Sequence, residues 1–279
     1  MSIPEKNTDK ITDSKSYPQL EEDRVIKSTE LAEELSREEP QQSFSTGMFH
    51  LDKMTNGIKE GDLVILSGLT GNGKTELAVT LAKNFIKNNA PVLFFSYEIS
   101  PQELYERFGV DGPVYHIPRV IKNGSPAWID NKIIEAQNKF GVKIVFIDHL
   151  HYLIGMNDTR AKNTAEMLGW MCREFKQIAR NRKIVIVLLA HVRKFDSSRP
   201  TMQDIKDSSG IMQEADTIMI IHRSGKKRSR KTAQAEDLDE PYELDNKAIL
   251  YLDKVRRRGG RQGKIDMEFN GSEYKEALA

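Results

Sequence analysis

The chain has 279 residues, 38% hydrophobic and 30% charged, with a formal net charge of +1. That length accommodates one large domain with an arm and a sizeable core. No run approaches the ~18 apolar residues of a membrane span, and the N-terminus lacks the basic-then-apolar pattern of a secretory signal. The single cysteine, Cys172, excludes an internal disulfide. Together these features favour a soluble protein of a reducing compartment, the cytoplasm or a host-cell interior if the chain is viral, with no membrane partner.

Charge is unevenly spread. Residues 1–40 carry eleven acids against six bases, whereas 223–231 and 254–264 each carry six bases and no acid. Such basic clusters attract phosphate, in nucleic acid or nucleotide; a solvated charged loop is the other reading of 223–231.

In chain order, residues 1–19 are polar and read as an arm. Residues 20–38 read as a helix, with Leu31 and Leu35 forming a thin apolar stripe that needs a docking surface or frays. The core begins at Phe44, which predicts an arm and linker helix over 1–43 and one domain over 44–279. Strand 63–66 leads through a glycine-rich turn into helix 75–87, and strand 92–95 into helix 101–108. A helix near 127–139 precedes strand 144–147. Helix 164–181, where Cys172 reads as a small core residue, precedes strand 184–190. Strand 217–222 follows the segment 208–216. Strands 248–254 and 264–269 flank Arg257-Arg-Gly-Gly-Arg261 and read as a hairpin. Continuous apolar runs alternating with helices indicate an α/β fold, a mostly parallel sheet covered on both faces.

Gly68-Leu-Thr-Gly-Asn-Gly-Lys-Thr75 matches G-x-x-x-x-G-K-[ST] in full, between a strand and a helix, the setting of a phosphate-binding loop. Gly68, Gly71, Asn72 and Gly73 let backbone N–H groups turn toward phosphates. Lys74 would reach the β- and γ-phosphates of ATP or another NTP, and Thr75 would hold Mg²⁺. Ile144-Val-Phe-Ile-Asp148 ends a strand in a carboxylate suited to the same hydrated ion. Glu98 ends the strand after the loop's helix; it either orients the attacking water or is a surface glutamate beginning a helix, with an N-cap near Ser100. His191 ends a third strand. A lone histidine there reads readily as structural, but three polar tips on one sheet edge, where ligands of open α/β sheets bind, favour a functional role. His149 and His151 fit no metal-ligand spacing and read as local or polynucleotide-facing residues.

The run from Phe44 to Leu63 into the phosphate loop, continued by Glu98, Asp148, His191 and the hairpin near 254–269, resembles the helicase domain of the DnaB family, a RecA-like P-loop fold. The likeness covers about 225 of the 279 residues. His191-Val-Arg-Lys194 and the stretch Arg199 to Gly210 look closer to phage primase-helicases and to Twinkle; bacterial DnaB usually has glutamine where this chain has His191. The resemblance implies that Glu98 activates water and His191 senses the γ-phosphate. It implies that Arg193, Lys194 and Lys206 contact single-stranded DNA. Lys254 and Arg256 would match the K-x-R pair that reaches a neighbouring subunit's nucleotide, which makes catalysis depend on a homohexameric ring. The collar of bacterial DnaB and the primase part of phage fusions are not in the sequence, and 223–240 is longer and more basic than the family pattern; 20–38 is then a linker helix.

The expectation is therefore an NTP-hydrolysing, ring-forming helicase that translocates on single-stranded DNA in replication, with a primase or loader as further partners. A RecA-like DNA-dependent ATPase that does not unwind, for recombination, repair or loading, and a nucleotide-switched assembly module are the alternatives. A P-loop kinase fits poorly, because no small-substrate lid is evident.

Overall fold

A computed structural model of the chain describes residues 25–37, 40–157, 164–192, 199–205, 208–223 and 246–277. The chain divides into two compact units, Met1–Gln41 and Gln42–Ala279. In the first, helix α1 spans Ser28–Arg37, and Leu31 and Leu35 on it are exposed. The helix expected over 20–38 is thus shorter among the described residues, because Val25–Lys27 precede it without helical structure.

The second unit opens with a small antiparallel sheet, β1 (Ser43–Phe44) and β2 (Ile58–Lys59), around helix α2 (Phe49–Thr55). These short elements lack the periodicity that reveals longer ones. Asp52 organises them, accepting hydrogen bonds from Ser45 Oγ (2.6 Å) and from the N–H and hydroxyl of Thr46 (2.8 and 2.7 Å).

The main body follows as β3 (Leu63–Gly68), α3 (Lys74–Lys87), β4 (Val92–Ser96), α4 (Pro101–Phe108), α5 (Pro126–Phe140), β5 (Ile144–Asp148), α6 (Leu150–Asn157), α7 (Thr164–Asn181) and β6 (Val185–His191). A 3₁₀ turn at Met202–Asp204, helix α8 (Ser208–Glu214), and strands β7 (Thr217–His222), β8 (Lys247–Val255), β9 (Gly263–Phe269) and β10 (Tyr274–Glu276) complete it. The eight-stranded sheet has the order β10-β9-β8-β7-β3-β6-β5-β4. The five strands β7-β3-β6-β5-β4 are parallel, and β8, β9 and β10 extend the sheet antiparallel from β7. The expected hairpin is present as β8–β9 and is part of this sheet rather than an appendage.

Side chains alternate across it. Val64 and Leu66 of β3 join Leu77, Leu81 and Phe85 of α3 on one face, while Leu63 and Ile65 join Leu168, Met171 and Phe175 of α7 on the other. Covering both faces explains why the strands read as unbroken apolar runs. Cys172 belongs to the second cluster, fully buried, and burial pushes its thiol up to about 12. Local signals fix the helix ends. Ser100 and Glu103 form a reciprocal capping box at α4, and Ser125 caps α5, which stops at Gly141 in the left-handed region.

Phe146 of β5 is fully buried, stacked on Phe94 at 5.4 Å between ring centroids and tilted against Phe85 at 6.3 Å. Phe146→Ala is expected to cost about 3–5 kcal/mol, the usual price of an aromatic cavity, read as a lowered midpoint in urea unfolding followed by circular dichroism.

Candidate functional site

The parallel strands deliver their carboxyl ends to one edge of the sheet. Gly68, closing β3, lies opposite His191, closing β6, and Ser96 of β4 lies opposite Asp148 of β5. The loop after Gly68 turns through Gly71 and Gly73, at φ +78° and +87°. No side chain caps α3, so the orphan N–H groups of its first turn remain available to an anion. Gly73 is required twice over: its φ is left-handed, and a Cβ there would collide with the hydroxyl of Tyr274 on β10. Asn72 is buried and its side-chain oxygen accepts the N–H of Arg223 at 2.7 Å, joining the loop to the end of β7.

Lys74 is buried and donates from Nζ to the carbonyls of Gly68 (3.0 Å) and Leu69 (3.1 Å). Desolvation pulls its ammonium down to about 8, against the favourable charges of Glu98 and Asp148. Asp148 is fully buried, and its Oδ2 accepts the Thr75 hydroxyl at 3.0 Å. Desolvation first, then the Glu98 charge, push its carboxyl up to about 7; the Thr75 hydrogen bond, Lys74 and Arg107 oppose that rise. Its other oxygen, Oδ1, is buried without a hydrogen-bond partner among the described residues. A hydroxyl and a carboxylate with one uncommitted oxygen form a hard oxygen donor set, so these residues fit Mg²⁺.

Glu98 is exposed, two residues before the Ser100 cap, so it precedes the helix rather than beginning it. The tip that carries it is held by the Tyr97 N–H, which donates to the Asp148 carbonyl, and by Arg107, whose Nε meets Glu76 at 2.8 Å and fastens α4 to α3. Glu98, His149 and His191 place a ligand atom each within 4.8 Å of one another. Two imidazoles suit borderline ions better than magnesium, whereas the Thr75 and Asp148 oxygens are of the type that fits Mg²⁺.

His149 is a residue that spacing alone could not find. Its ring is buried, 3.8 Å between centroids from His191 and 5.1 Å from His151, and neither ring nitrogen has a hydrogen-bond partner among the described residues. Burial, then His191, His151 and Lys74, pull it down to about 3, so it is neutral. The only sequence signal was its place directly after the strand-ending Asp148.

Lys254 and Arg256 stand elsewhere. Ile218 pairs with Lys254 and Thr217 with Val255, at the amino end of β7. Lys254 Nζ donates to the Met212 carbonyl and Arg256 Nη2 to the Gln213 carbonyl, both in the last turn of α8. Arg256 also faces Asp216 Oδ1 at 3.6 Å. Asp216 Oδ2 accepts the N–H of Leu63 at 2.8 Å, so this cluster marks the start of β3 while Gly68 marks its end. Five residues of strand separate them, about 17 Å. The structure thus brings Gly68, Gly71, Asn72, Gly73, Lys74, Thr75, Glu98, Asp148 and His191 to one edge, and sets Lys254 and Arg256 at the opposite one. Arg193, Lys194 and Lys206 lie outside the described residues, as does the basic run after Arg223.

Residues 43–111 and 118–276 match the family described as DnaB-like helicase C terminal domain. The chain is similar to a probable replicative DNA helicase of Trieres chinensis, 27% identical over 265 residues, covering 82% of this chain and 55% of that protein. It is similar to the replicative DNA helicase DnaB of Mycoplasma pneumoniae, 24% identical over 297 residues, covering 91% of this chain and 61% of that one. It therefore spans little more than half the length of these relatives. In fold it is similar to the ATPase domain of G40P, with a TM-score of 0.69 at 20% identity over 90% of this chain and 97% of that one. A DnaB-like replicative helicase studied with its primase interactions also gives a TM-score of 0.69 at 20% identity, covering 95% of this chain and 68% of that one.

Gly73→Ala should weaken nucleotide binding by more than about tenfold, since the left-handed backbone alone costs a residue with a Cβ about 1–2 kcal/mol. A fluorescent-nucleotide titration measures this, with circular dichroism to show that the fold persists.

Proposed function

The chain belongs to the DnaB-like helicase C terminal domain family, and from that premise we propose that it is the ATP-hydrolysing motor of a ring-forming replicative DNA helicase. The relatives bearing the name replicative DNA helicase support this reading. So does the arrangement of the site, and one observation carries most of it: Lys254 and Arg256 lie at the far end of β3 from their own phosphate loop. That separation exceeds the reach of an arginine side chain. A cationic pair so placed serves a nucleotide only on another copy, which makes a homohexameric ring the assembly in which each site is complete.

Within one subunit the roles follow from position. Backbone N–H groups from Gly71 to Thr75 cradle the phosphates. Lys74, already held at the loop carbonyls, exchanges those acceptors for phosphate oxygens. Thr75 and Asp148 would hold Mg²⁺, which would supply charge neutralisation to the transferring phosphate when bound. Glu98, exposed at the same edge and close enough to Lys74 and Asp148 to shift both, accepts a proton from the attacking water. His191 stands opposite Gly68, where it senses the γ-phosphate and begins the segment 192–207. Arg193, Lys194 and Lys206 of that segment grip the backbone of single-stranded DNA, giving salt-sensitive binding largely independent of sequence. A primase or a loader is the partner class for such a ring. The described residues contain no helix long and apolar enough to cross a membrane, and the work is placed where DNA is replicated, in the cell interior.

Turnover of ATP is expected to rise both with single-stranded DNA and with protein concentration through the range of ring assembly. Turnover indifferent to both would overturn the reading. Glu98→Ala should abolish hydrolysis while nucleotide affinity stays intact, and Arg256→Ala should lower kcat by about 10³-fold or more, as for other arginine fingers, without weakening nucleotide binding to the dilute subunit.

A further inference from the structure

The segment assigned above to DNA is fastened at both of its ends, to two different places. At its start Val192 forms an antiparallel bridge with Ile205, and the Val192 N–H donates to the Gly68 carbonyl of the phosphate loop at 3.3 Å. Toward its end the chain lies on β8. Asp253 Oδ2 accepts the N–H of Met202 at 2.8 Å, and Asp253 Oδ1 faces Arg199 Nη1 at 3.4 Å. The Arg199 guanidinium also sits over the Tyr251 ring, 4.9 Å from its centroid. Helix α8 then follows, and the carbonyls of its last turn accept Lys254 and Arg256. The strand carrying the cationic pair is thus held by both flanks of the segment's distal end.

Asp253 is the junction. Its side chain is only 9% exposed, a position where a polar group needs partners that replace its lost hydration. The backbone N–H and the guanidinium supply that replacement through charge-assisted contacts. Neither partner belongs to the loop Gly68–Thr75 or to the strand tips that carry Glu98, Asp148 and His191. Asp253 directly precedes Lys254, and with Tyr251 it is where the 199–202 stretch meets β8.

We propose that Asp253 is a positioning residue that couples the DNA-contacting segment to Lys254 and Arg256, so that DNA held by one subunit sets the cationic pair presented to the next. The proposal rests on the motor reading given above. It makes the segment a link between two nucleotides, touching its own through Val192 and Gly68 and its neighbour's through Asp253.

The test uses the full chain and its Asp253→Asn variant, with ATP turnover measured over a range of ATP concentrations, without DNA and with saturating oligo-dT. Asparagine keeps an acceptor for the Met202 N–H and loses the charge that faces Arg199. The expected result is DNA-free kcat and KM within about twofold of the parent, and a DNA-stimulated kcat that collapses to the DNA-free value. Oligo-dT affinity, read by fluorescence anisotropy, should stay within about threefold. Adding Arg199→Gln to the variant should reduce stimulation no further, as for two members of one interaction. Equal falls in DNA-free and stimulated turnover would mean a merely structural role and overturn the proposal, as would undiminished stimulation. A parent chain that ignores oligo-dT overturns the motor reading along with it, whereas a stimulated parent beside an equally stimulated variant overturns the coupling alone.

Discussion

Strand β3 is hydrogen-bonded to β6 on one side and β7 on the other, and that pairing decides where every polar group of the site stands. With Gly68 in register with His191, the phosphate loop leaves the sheet beside the histidine that begins the segment 192–207. The same register sets Leu63 beside Asp216, and through it the hairpin that carries Arg256. A slip of one residue would turn the β3 side chains to the wrong face of a sheet buried on both sides. The two apolar clusters therefore do more than stabilise the domain; they hold the site's registration.

At the amino edge this registration is secured by charge rather than by apolar packing. Asp62 pairs with Arg257, and Asp216 pairs with Lys176, whose ammonium also donates to the Gly61 carbonyl at 2.6 Å. Desolvation raises the Asp62 carboxyl, and the Arg257 charge works against that rise. Buried pairs of this kind add little net stability, but losing one member leaves an uncompensated charge. They specify where α7, β3 and the β8–β9 hairpin meet. The carboxyl edge is built differently: among the described residues, neither Asp148 Oδ1 nor either nitrogen of His149 has a hydrogen-bond partner.

Much of this was legible in the sequence because its signals are local. The phosphate loop is a contiguous motif, the strands are apolar runs, and Ser100 announces its helix. Helix 164–181 coincides with α7, and the paired strands at the C-terminus are β8 and β9. What was not legible depends on contacts between distant parts of the chain. Tyr274 lies some two hundred residues from the Gly73 it packs against. Asp253 meets Met202 across 51 residues, and no pattern distinguishes it from any other acid on a strand. His149 looked like a local residue because its neighbour His191 comes from another strand. Small elements such as α2 and β10 are too short to show a period. The three cations assigned to DNA, and most of the basic run after Arg223, lie outside the described residues, so their roles rest on the resemblance and on the residues that flank them.

On the ring reading proposed above, the opposite placement of the phosphate loop and the Lys254–Arg256 pair would also have a genetic meaning. In a ring whose sites are each built from two copies, a lesion in Lys74 and a lesion in Arg256 damage different halves of different sites. Two chains, each dead alone, can then assemble into rings in which some sites receive both sound halves, so the alleles complement one another. A chain carrying both lesions has nothing to lend on either side, and in a mixed population it acts as a dominant poison. On that reading, the length of one buried strand would decide which mutations are recessive to each other and which are not.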